Sequence, residues 1–209
     1  MVVDNGTDPH PPTLADIVEE CEVTNIPVPT TTDNGSGTIT GTTTDPLSYS
    51  EQGTYTIIWT FDDGNGNSIT VPQTVIVNDT TAPVSPTIPV IEGECKVTGI
   101  PAPTTIDNCA GIITGTTTDP LSYSEEGTYT INWIFDDENG NVITVPQEIT
   151  VDDTTAPISP TIADAEGQCE VISIPAPTAS DDCEGSIPGT TTDPLSYTEQ
   201  GTYEITWTF

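Results

Sequence analysis

The residues best suited to chemistry lie in an acidic turn that is rich in asparagine and glycine. Residues 62–67 read Asp-Asp-Gly-Asn-Gly-Asn, so Asp63, Asn65 and Asn67 place side-chain oxygens at alternate positions. Loops that bind hard cations such as Ca²⁺ present oxygen ligands in this way. The turn lacks the closing glutamate and the flanking helices of an EF-hand. The other interpretation is that Asp-Gly and Asn-Gly pairs serve only the geometry of a turn.

This turn belongs to a unit that recurs every 74 residues. Cys21, Cys95 and Cys169 are separated by that interval (95 − 21 and 169 − 95), and no gap is needed anywhere. The 3 Trp, 3 Phe and 6 Tyr residues all occupy four positions per unit. In the first unit these positions are Tyr49, Tyr55, Trp59 and Phe61. The regularity predicts three copies of one small domain, because a disordered Thr/Pro-rich tract would not keep its aromatic residues in register.

The elements that position the turn are predicted to be β-strands. Ile57, Trp59 and Phe61 alternate with other residues before the turn, and apolar residues alternate again over 69–77. This period of two is typical of strands with one buried face, so the segments form a hairpin. Pro72 lies in the second strand, where a missing N–H is tolerated only at an edge or a bulge. Roughly seven strands per copy, with turn residues between them, favour a Greek-key sandwich of immunoglobulin (Ig) type.

The predicted architecture is therefore all-β, with tandem Ig-like Greek-key β-sandwich domains arranged in a rod. Residues 1–5 would be the end of a preceding repeat, followed by copy 1 (6–79), copy 2 (80–153) and copy 3 (154–209). Asp-Thr-Thr-Ala-Pro segments join the copies, and each proline favours a short, stiff linker. Copy 3 stops before its turn and last strand, which predicts an unpaired sheet edge and lower stability.

The charge of the chain restricts its partners. The 33 Asp and Glu residues face a single Lys, and the formal net charge is −32. This excludes nucleic acid and anionic membrane surfaces, whose binding depends on basic residues that neutralise phosphates. The chain has no apolar run of 18 residues, so no membrane span is predicted. Divalent cations or high salt are expected to neutralise the self-repulsion.

Calcium sites are predicted where the acidic turn, a second acidic loop and the linker from the preceding copy meet at one pole of the sandwich. Such an interdomain Ca²⁺ ion would stiffen the rod. At the first pole the candidate ligands are Asp4, Asn5, Asp33, Asn34, Asp62, Asp63, Asn65 and Asn67. At the junction of copies 1 and 2 they are Asn78, Asp79, Asp107, Asn108, Asp136, Asp137, Asn139 and Asn141. At the junction of copies 2 and 3 they are Asp152, Asp153, Asp181 and Asp182.

The combined motifs also point to a family. Gly-x-x-x-Ile-x-Trp-x-Phe-x-Asp-x-x-Gly-Asn, the Asp-Asn-Cys at 107–109 and the flanking Asp-Thr-Thr-Ala-Pro together resemble hyalin-repeat (HYR) and related Ig-like modules. These modules are repeated in very large surface proteins of Bacteroidetes, including the gliding-motility adhesin. The resemblance implies type IX secretion, display on the cell surface, and a role in adhesion or as a stalk. It also implies O-glycosylation at Thr80 and Thr154. The chain departs from the hyalin pattern because residues 68–77 contain no cysteine.

In a secreted chain the cysteines predict disulfides. Cys95 and Cys109 are 14 residues apart, as are Cys169 and Cys183, whereas copy 1 has Gly35 at the second position (109 − 95 and 183 − 169). We therefore expect one disulfide within copy 2 and one within copy 3, with buried free cysteines as the alternative. Zinc is not expected, because the chain has one His and no Cys-x-x-Cys.

Three function classes follow from these features. The first is a repeat segment of an extracellular adhesin or filament, whose partners are the neighbouring repeats of the same chain. The second is a module that binds surface glycans or another cell surface directly, and the third is an acidic protein adapted to high salt. The aromatic residues have the same positions in every copy, which favours a spacer over a specialised binding domain. No arrangement of nucleophile, base and acid indicates an enzyme.

Overall fold

The computed structural model describes residues 6–209, which form an all-β protein with several small sheets. No helix among these residues is long and apolar enough to cross a membrane. The strands, numbered in chain order, are β1 (Ile17–Glu19), β2 (Thr30–Asp33), β3 (Gly37–Thr40), β4 (Gly53–Asp62), β5 (Ser68–Val77), β6 (Ile91–Gly93), β7 (Val97–Thr98), β8 (Thr104–Asp107), β9 (Gly111–Thr114), β10 (Ser122–Tyr123), β11 (Gly127–Asp136), β12 (Val142–Val151), β13 (Thr178–Asp181) and β14 (Gly185–Pro188). The prediction of an all-β chain is confirmed.

The hairpin of β4 and β5 forms the centre of the first sheet. The two strands pair antiparallel over their full length, from Gly53 opposite Val77 to Asp62 opposite Ser68. Alternate side chains of β4 face the core, and the relative exposure of Trp59 is 1%. Strand β1 adds to the far side of β5 in parallel, which gives the order β1-β5-β4. Because β1 pairs only with the last three residues of β5, Pro72 lies where that edge of β5 is open, as a proline requires.

A glutamine in β5 satisfies the buried tryptophan. Gln73 accepts a hydrogen bond from the Trp59 indole N–H at 2.9 Å and donates to the Ala15 carbonyl at 2.9 Å. A buried indole needs such an acceptor, since an unpaired polar group in a core costs about 1–3 kcal/mol. The segment before β1 is thereby fixed to the core.

The β2–β3 hairpin lies on the other side of the core. Its strands pair from Thr30 opposite Thr40 to Asp33 opposite Gly37, and Gly37 has a φ of 78° at the turn. Ile39 faces the core with 7% exposure. At Gly41 a Cβ atom would lie 3.0 Å from a ring carbon of Phe61, so the close approach of the two segments leaves little room for a side chain.

An aspartate occupies one free edge of β4. Asp45 accepts a hydrogen bond from the backbone N–H of Ile58 at 2.7 Å, and Asp193 accepts one from Thr206 at 2.8 Å. Both carboxylates therefore pair with an edge N–H that could otherwise bind another strand. This gives the repeated Asp-Pro-Leu-Ser-Tyr motif a structural role.

The same pairings recur further along the chain. Strand β8 pairs with β9, and β13 pairs with β14, in the way that β2 pairs with β3. The order β11-β12-β6 repeats the order β4-β5-β1. Strand β7 pairs with β10, where copies 1 and 3 have only the isolated bridges of Val23 with Tyr49 and of Val171 with Tyr197.

The chain divides into two compact units that do not coincide with the copies. Unit 1 is the chain up to Thr87 with Ala102–Thr117 and Asn132–Val145. Unit 2 is Ile88–Pro101, Thr118–Ile131 and Pro146–Phe209. Copy 2 therefore contributes residues to both units, and the predicted copy boundaries stay a prediction.

Copy 3 is expected to exchange its amide hydrogens faster than copies 1 and 2. Trp207 is only partly buried, whereas Trp59 and Trp133 are each 1% exposed, and residues 201–209 form a single bridge through Thr208 instead of a strand. Hydrogen exchange read by mass spectrometry should show residues 202–209 exchanging roughly 100-fold faster than residues 54–61, since each tenfold corresponds to about 1.4 kcal/mol. Equal protection of the two segments in a dilute monomer would contradict this.

Candidate metal centre

The β8–β9 hairpin positions the first carboxylate of the centre, that of Asp107. Its Oδ1 accepts hydrogen bonds from the backbone N–H groups of Cys109 at 2.8 Å and Ala110 at 2.9 Å. The turn closes at Gly111, which pairs with Asp107 and has a φ of 76°. Asp107 is 8% exposed, and its Oδ2 is the one buried side-chain oxygen or nitrogen without a hydrogen-bond partner in the described part of the chain.

The turn after β11 positions the second carboxylate, that of Asp137, which is 3% exposed. Its Oδ1 accepts from the backbone N–H groups of Asn139 at 2.8 Å and Asn141 at 3.0 Å. Its Oδ2 accepts from the Asn141 side chain at 2.7 Å. Burial acts to raise the pKa of Asp137, but the hydrogen bonds from Asn141 and Asn139 together hold it below its usual value. The folded state therefore favours the ionised carboxylate.

The third carboxylate, that of Asp79, follows β5 and is 4% exposed. Its backbone N–H donates to the Gln52 side chain at 2.7 Å, and its Oδ1 accepts from the Thr81 N–H at 3.0 Å. Its Oδ2 accepts from the Asn139 side chain at 3.2 Å, and its carbonyl accepts from the Asn141 side chain at 3.3 Å. Asp79 and the turn after β11 are thereby joined directly.

One oxygen from each of Asp79, Asp107 and Asp137 lies within 4.8 Å of the others, and all three residues are buried. All three belong to unit 1. The single Lys of the chain, Lys96, belongs to unit 2, so no Lys or Arg of unit 1 can balance these charges. Buried charges are stable when they are paired or coordinate a metal. The donors are hard carboxylate oxygens, which suit Ca²⁺.

A glutamate beside the centre holds two of its segments. Glu20 accepts hydrogen bonds from the Thr80 hydroxyl at 2.9 Å, the Thr81 hydroxyl at 2.8 Å and the Asn108 side chain at 2.8 Å. The bonds from Thr81, Thr80 and then Asn108 hold the pKa of Glu20 below its usual value. The residue that follows, Cys21, forms a disulfide with Cys109.

The predicted disulfide pairing, Cys95 with Cys109 and Cys169 with Cys183, is wrong. Cys21 is bonded to Cys109 and Cys95 to Cys183, each pair 88 residues apart in sequence, and Cys169 is an exposed free thiol. The physical reason is that the second cysteine of copies 2 and 3 lies beside the first cysteine of the preceding copy, so closeness in sequence does not decide the pairing.

A sequence signal for the observed pairing exists. Copy 1 has its first cysteine and lacks its second, where Gly35 stands. If the first cysteine of each copy pairs with the second cysteine of the next copy, the second cysteine of copy 1 would have no partner within this chain, which fits the glycine at position 35. Pairing within copies and pairing between copies both leave one of the five cysteines unpaired, so the number of cysteines could not decide between them.

The junction of copies 2 and 3 has the same scaffold, in which Asp181 is the buried carboxylate, and the position that matches Asp137 would be 211 (137 + 74), beyond the 209 residues of the sequence. The Asp181 Oδ1 accepts from the backbone N–H groups of Cys183 at 2.8 Å and Glu184 at 3.0 Å. Glu94 accepts from the N–H of Thr154 at 3.0 Å and from its hydroxyl. The group that gathers there is Glu94, Asp153 and Cys183, whose sulfur is in a disulfide.

In copy 1 the two turns that match those of Asp107 and Asp137 lie in contact. The Asp63 turn contacts the loop after Asp33, because the Ser36 hydroxyl donates to the Asp63 carbonyl at 3.0 Å. The Asn67 side chain donates to Asp63 at 2.8 Å, and this bond is the main reason that the pKa of Asp63 is lowered. Two of the predicted ligands, Asp4 and Asn5, lie outside the described residues.

Among the described His, Cys, Asp and Glu residues, four further predicted ligands lie in no group of three, namely Asp62, Asp136, Asp152 and Asp182. Asp62 and Asp136 accept hydrogen bonds from the N–H two residues later, at 2.7 and 2.8 Å, and so stabilise their own turns. The backbone N–H of Asn78 donates to the Glu19 carbonyl at 3.0 Å. The hydroxyls of the predicted glycosylation sites, Thr80 and Thr154, donate to Glu20 and Glu94.

Sequence reasoning missed the glutamates and Gln52. The signal for the glutamates was available, because Glu20 and Glu94 each precede the first cysteine of their copy. Gln52 carried no such signal, since its role depends on the approach of Asp79 from a distant part of the chain.

Comparisons with known proteins give no further guide. No protein-family model matches the chain, and no curated protein matches it.

The acid stability of the protein is expected to depend on Glu20. A carboxyl whose pKa is lowered by folding stabilises the fold above its unfolded pKa, here about 4.5, and loses this contribution as the pH falls through the folded pKa. Glu20→Gln should therefore flatten the decrease in Tm between about pH 5 and about pH 3. Thermal melts across this range measure the effect, with the exposed Glu19→Gln as the control that keeps the wild-type slope. An unchanged slope in Glu20→Gln would exclude this role.

Proposed function

We propose that the chain is a segment of an extracellular adhesin or surface filament and acts as a stiff, non-enzymatic stalk. Its modules are tandem Ig-like Greek-key sandwiches of the HYR type, and its partners are the neighbouring repeats of the same chain. Ca²⁺ bound between copies 1 and 2 rigidifies the junction. The observation that carries the calcium site is the buried, unpartnered Oδ2 of Asp107, close to the carboxylates of Asp79 and Asp137.

The disulfides support an extracellular stalk. Each joins a cysteine of one copy to a cysteine of the next, which restricts the motion of consecutive copies. Such bonds persist in oxidising environments, as on cell surfaces. Type IX secretion, gliding motility and glycosylation at Thr80 and Thr154 are the finer parts of the proposal and rest on the family resemblance.

Calcium fits the centre better than magnesium or a transition metal. Three carboxylates and the Asp79 carbonyl are hard oxygen donors, and rotation of the Asn139 or Asn141 amide by half a turn would present a further oxygen. Ca²⁺ accepts six to eight oxygens in flexible geometry, whereas Mg²⁺ demands a near-ideal octahedron and retains its waters. Because three negative charges surround the ion, we also expect the site to bind divalent cations much more tightly than monovalent cations.

The alternative of direct glycan recognition has less support. Sugar-binding sites commonly offer an open aromatic face, but the tyrosines of each copy stack on one another. The ring centroids are 4.3 Å apart for Tyr49 with Tyr55 and for Tyr123 with Tyr129, and 4.1 Å for Tyr197 with Tyr203. Their recurrence in every copy is typical of a structural role.

Calcium is expected to bind and stabilise the wild-type chain. At a free concentration 100 times the Kd the gain is about 2.7 kcal/mol, seen as a rise in Tm that EDTA reverses. Asp107→Asn keeps one side-chain oxygen that can accept from the Cys109 and Ala110 N–H groups. It should abolish the rise in Tm, because the side chain loses its negative charge and an NH2 group takes the place of the free Oδ2. Calorimetric titration and thermal melts measure both effects.

The matched control is Asp181→Asn, which changes the equivalent turn at the junction that lacks a third buried carboxylate. It should retain the wild-type response to Ca²⁺. Neither heat nor a change in Tm with Ca²⁺ would refute the calcium site, and a Tm that rises with NaCl alone would favour adaptation to high salt.

A further inference from the structure

We propose that the Cys21–Cys109 disulfide and the cation at Asp79, Asp107 and Asp137 are thermodynamically linked, so that the redox state of this disulfide sets the calcium affinity of the junction. The inference rests on the proposed calcium site and adds to it a means of regulation. Its basis is that the disulfide and the cation ligands share the same short segments of chain.

The first shared segment is the turn between β8 and β9. Cys109 carries one sulfur of the disulfide, and its backbone N–H donates to the Asp107 Oδ1 at 2.8 Å. This bond, with the one from Ala110, fixes the orientation of the carboxylate and leaves Oδ2 as the free oxygen. The conformation of the disulfide-bonded residue therefore determines where a cation ligand lies.

The second shared segment leads from Cys21 to Asp79. Cys21 follows Glu20, which binds the Thr81 hydroxyl, and the Thr81 N–H in turn holds the Asp79 Oδ1 at 3.0 Å. The Cys109 sulfur itself lies within 4.8 Å of carboxylate oxygens of Glu20 and Asp79. One covalent bond thus fixes the segments that present two of the three carboxylates.

Reduction would release this constraint. A small dithiol reduces the disulfide by thiol–disulfide exchange: the dithiol loses two electrons and two protons and becomes a cyclic disulfide, while Cys21 and Cys109 become two thiols. The Asp107 turn is then held to Glu20 only by the Asn108 hydrogen bond, 2.8 Å long. In the reduced protein the cation would have to order these segments and bring the mutually repelling carboxylates together. The free energy spent on this ordering would lower the affinity for the cation.

Linkage makes the effect reciprocal. If reduction weakens calcium binding by a given factor, saturating Ca²⁺ must lower the equilibrium constant for reduction by the same factor. Coupling of this kind is typically 5- to 150-fold, and we expect about tenfold here.

The chain contains its own control. The Cys95–Cys183 disulfide has the same sequence separation, a glutamate before its first cysteine and an aspartate two residues before its second. All four bonded cysteines are of intermediate burial. The position that matches Asp137 would be 211 (137 + 74), beyond the 209 residues of this chain, so in this chain Ca²⁺ should leave the reduction of the second disulfide unchanged.

The test measures both disulfides in one sample. The full chain, with Cys169→Ser to prevent thiol exchange, is equilibrated in oxidised and reduced dithiothreitol with Ca²⁺ or with EDTA. Differential alkylation and mass spectrometry then give the reduced fraction of each disulfide. We expect Ca²⁺ to lower the equilibrium constant for reduction about tenfold for Cys21–Cys109 only. Asp107→Asn should remove this effect.

A second measurement tests the linkage from the other side. Cys21→Ser with Cys109→Ser should bind Ca²⁺ about tenfold more weakly than the wild type, and Cys95→Ser with Cys183→Ser should bind it equally well. Equal shifts of both disulfides would indicate general stabilisation and overturn the linkage, as would calcium binding with no shift in either. Absence of calcium binding to the wild type would instead refute the calcium site itself.

Discussion

Backbone amides, rather than basic side chains, hold the carboxylates of this protein. With one Lys and no Arg against 33 acidic residues, ion pairs cannot organise the structure. Instead Asp33, Asp107 and Asp181 each accept two backbone N–H groups of the turn that follows them. Hydrogen bonds to an ionised acceptor are stronger than neutral ones. Each acidic turn is therefore ordered by its own carboxylate.

This arrangement explains how so acidic a chain folds. Asp107 uses one oxygen for its own turn and leaves the other without a partner, so the same residue can serve local structure and a cation. Asp62 and Asp136 remain local, because no acidic group among the described residues includes them. Asp107 is different because the chain brings two further buried carboxylates to it. The function of a turn is thus decided by what packs against it.

The strands could be predicted from the sequence to a large extent, and the connections between distant segments could not. The alternation of Ile57, Trp59 and Phe61 determines a strand with one buried face, and the structure shows it as β4 with those three residues at 0–1% exposure. The parallel pairing of β1 with β5 had no local signal, since β1 is only three residues long. Periodicity reports burial within an element, whereas pairing between elements depends on the whole fold.

The same distinction accounts for the candidate site and the disulfides. Asp79, Asp107 and Asp137 were all expected near one junction, because the predicted sandwich topology places those loops at one pole. The cysteines were assigned by closeness in sequence, and that criterion failed because each disulfide joins residues 88 apart in the chain. Contacts between distant segments, which have no local signal in the sequence, decide the pairing.

The two junctions share a scaffold that forms without the third carboxylate. Both contain an inter-copy disulfide, a glutamate bound to a threonine and an aspartate held by two amides. At the first junction the turn after β11 adds Asp137, so that three buried carboxylates gather. At the second junction the matching position would be 211 (137 + 74), beyond the 209 residues of the sequence. The disulfide and the amide-bound aspartate are nevertheless formed there, so the scaffold does not depend on the third carboxylate.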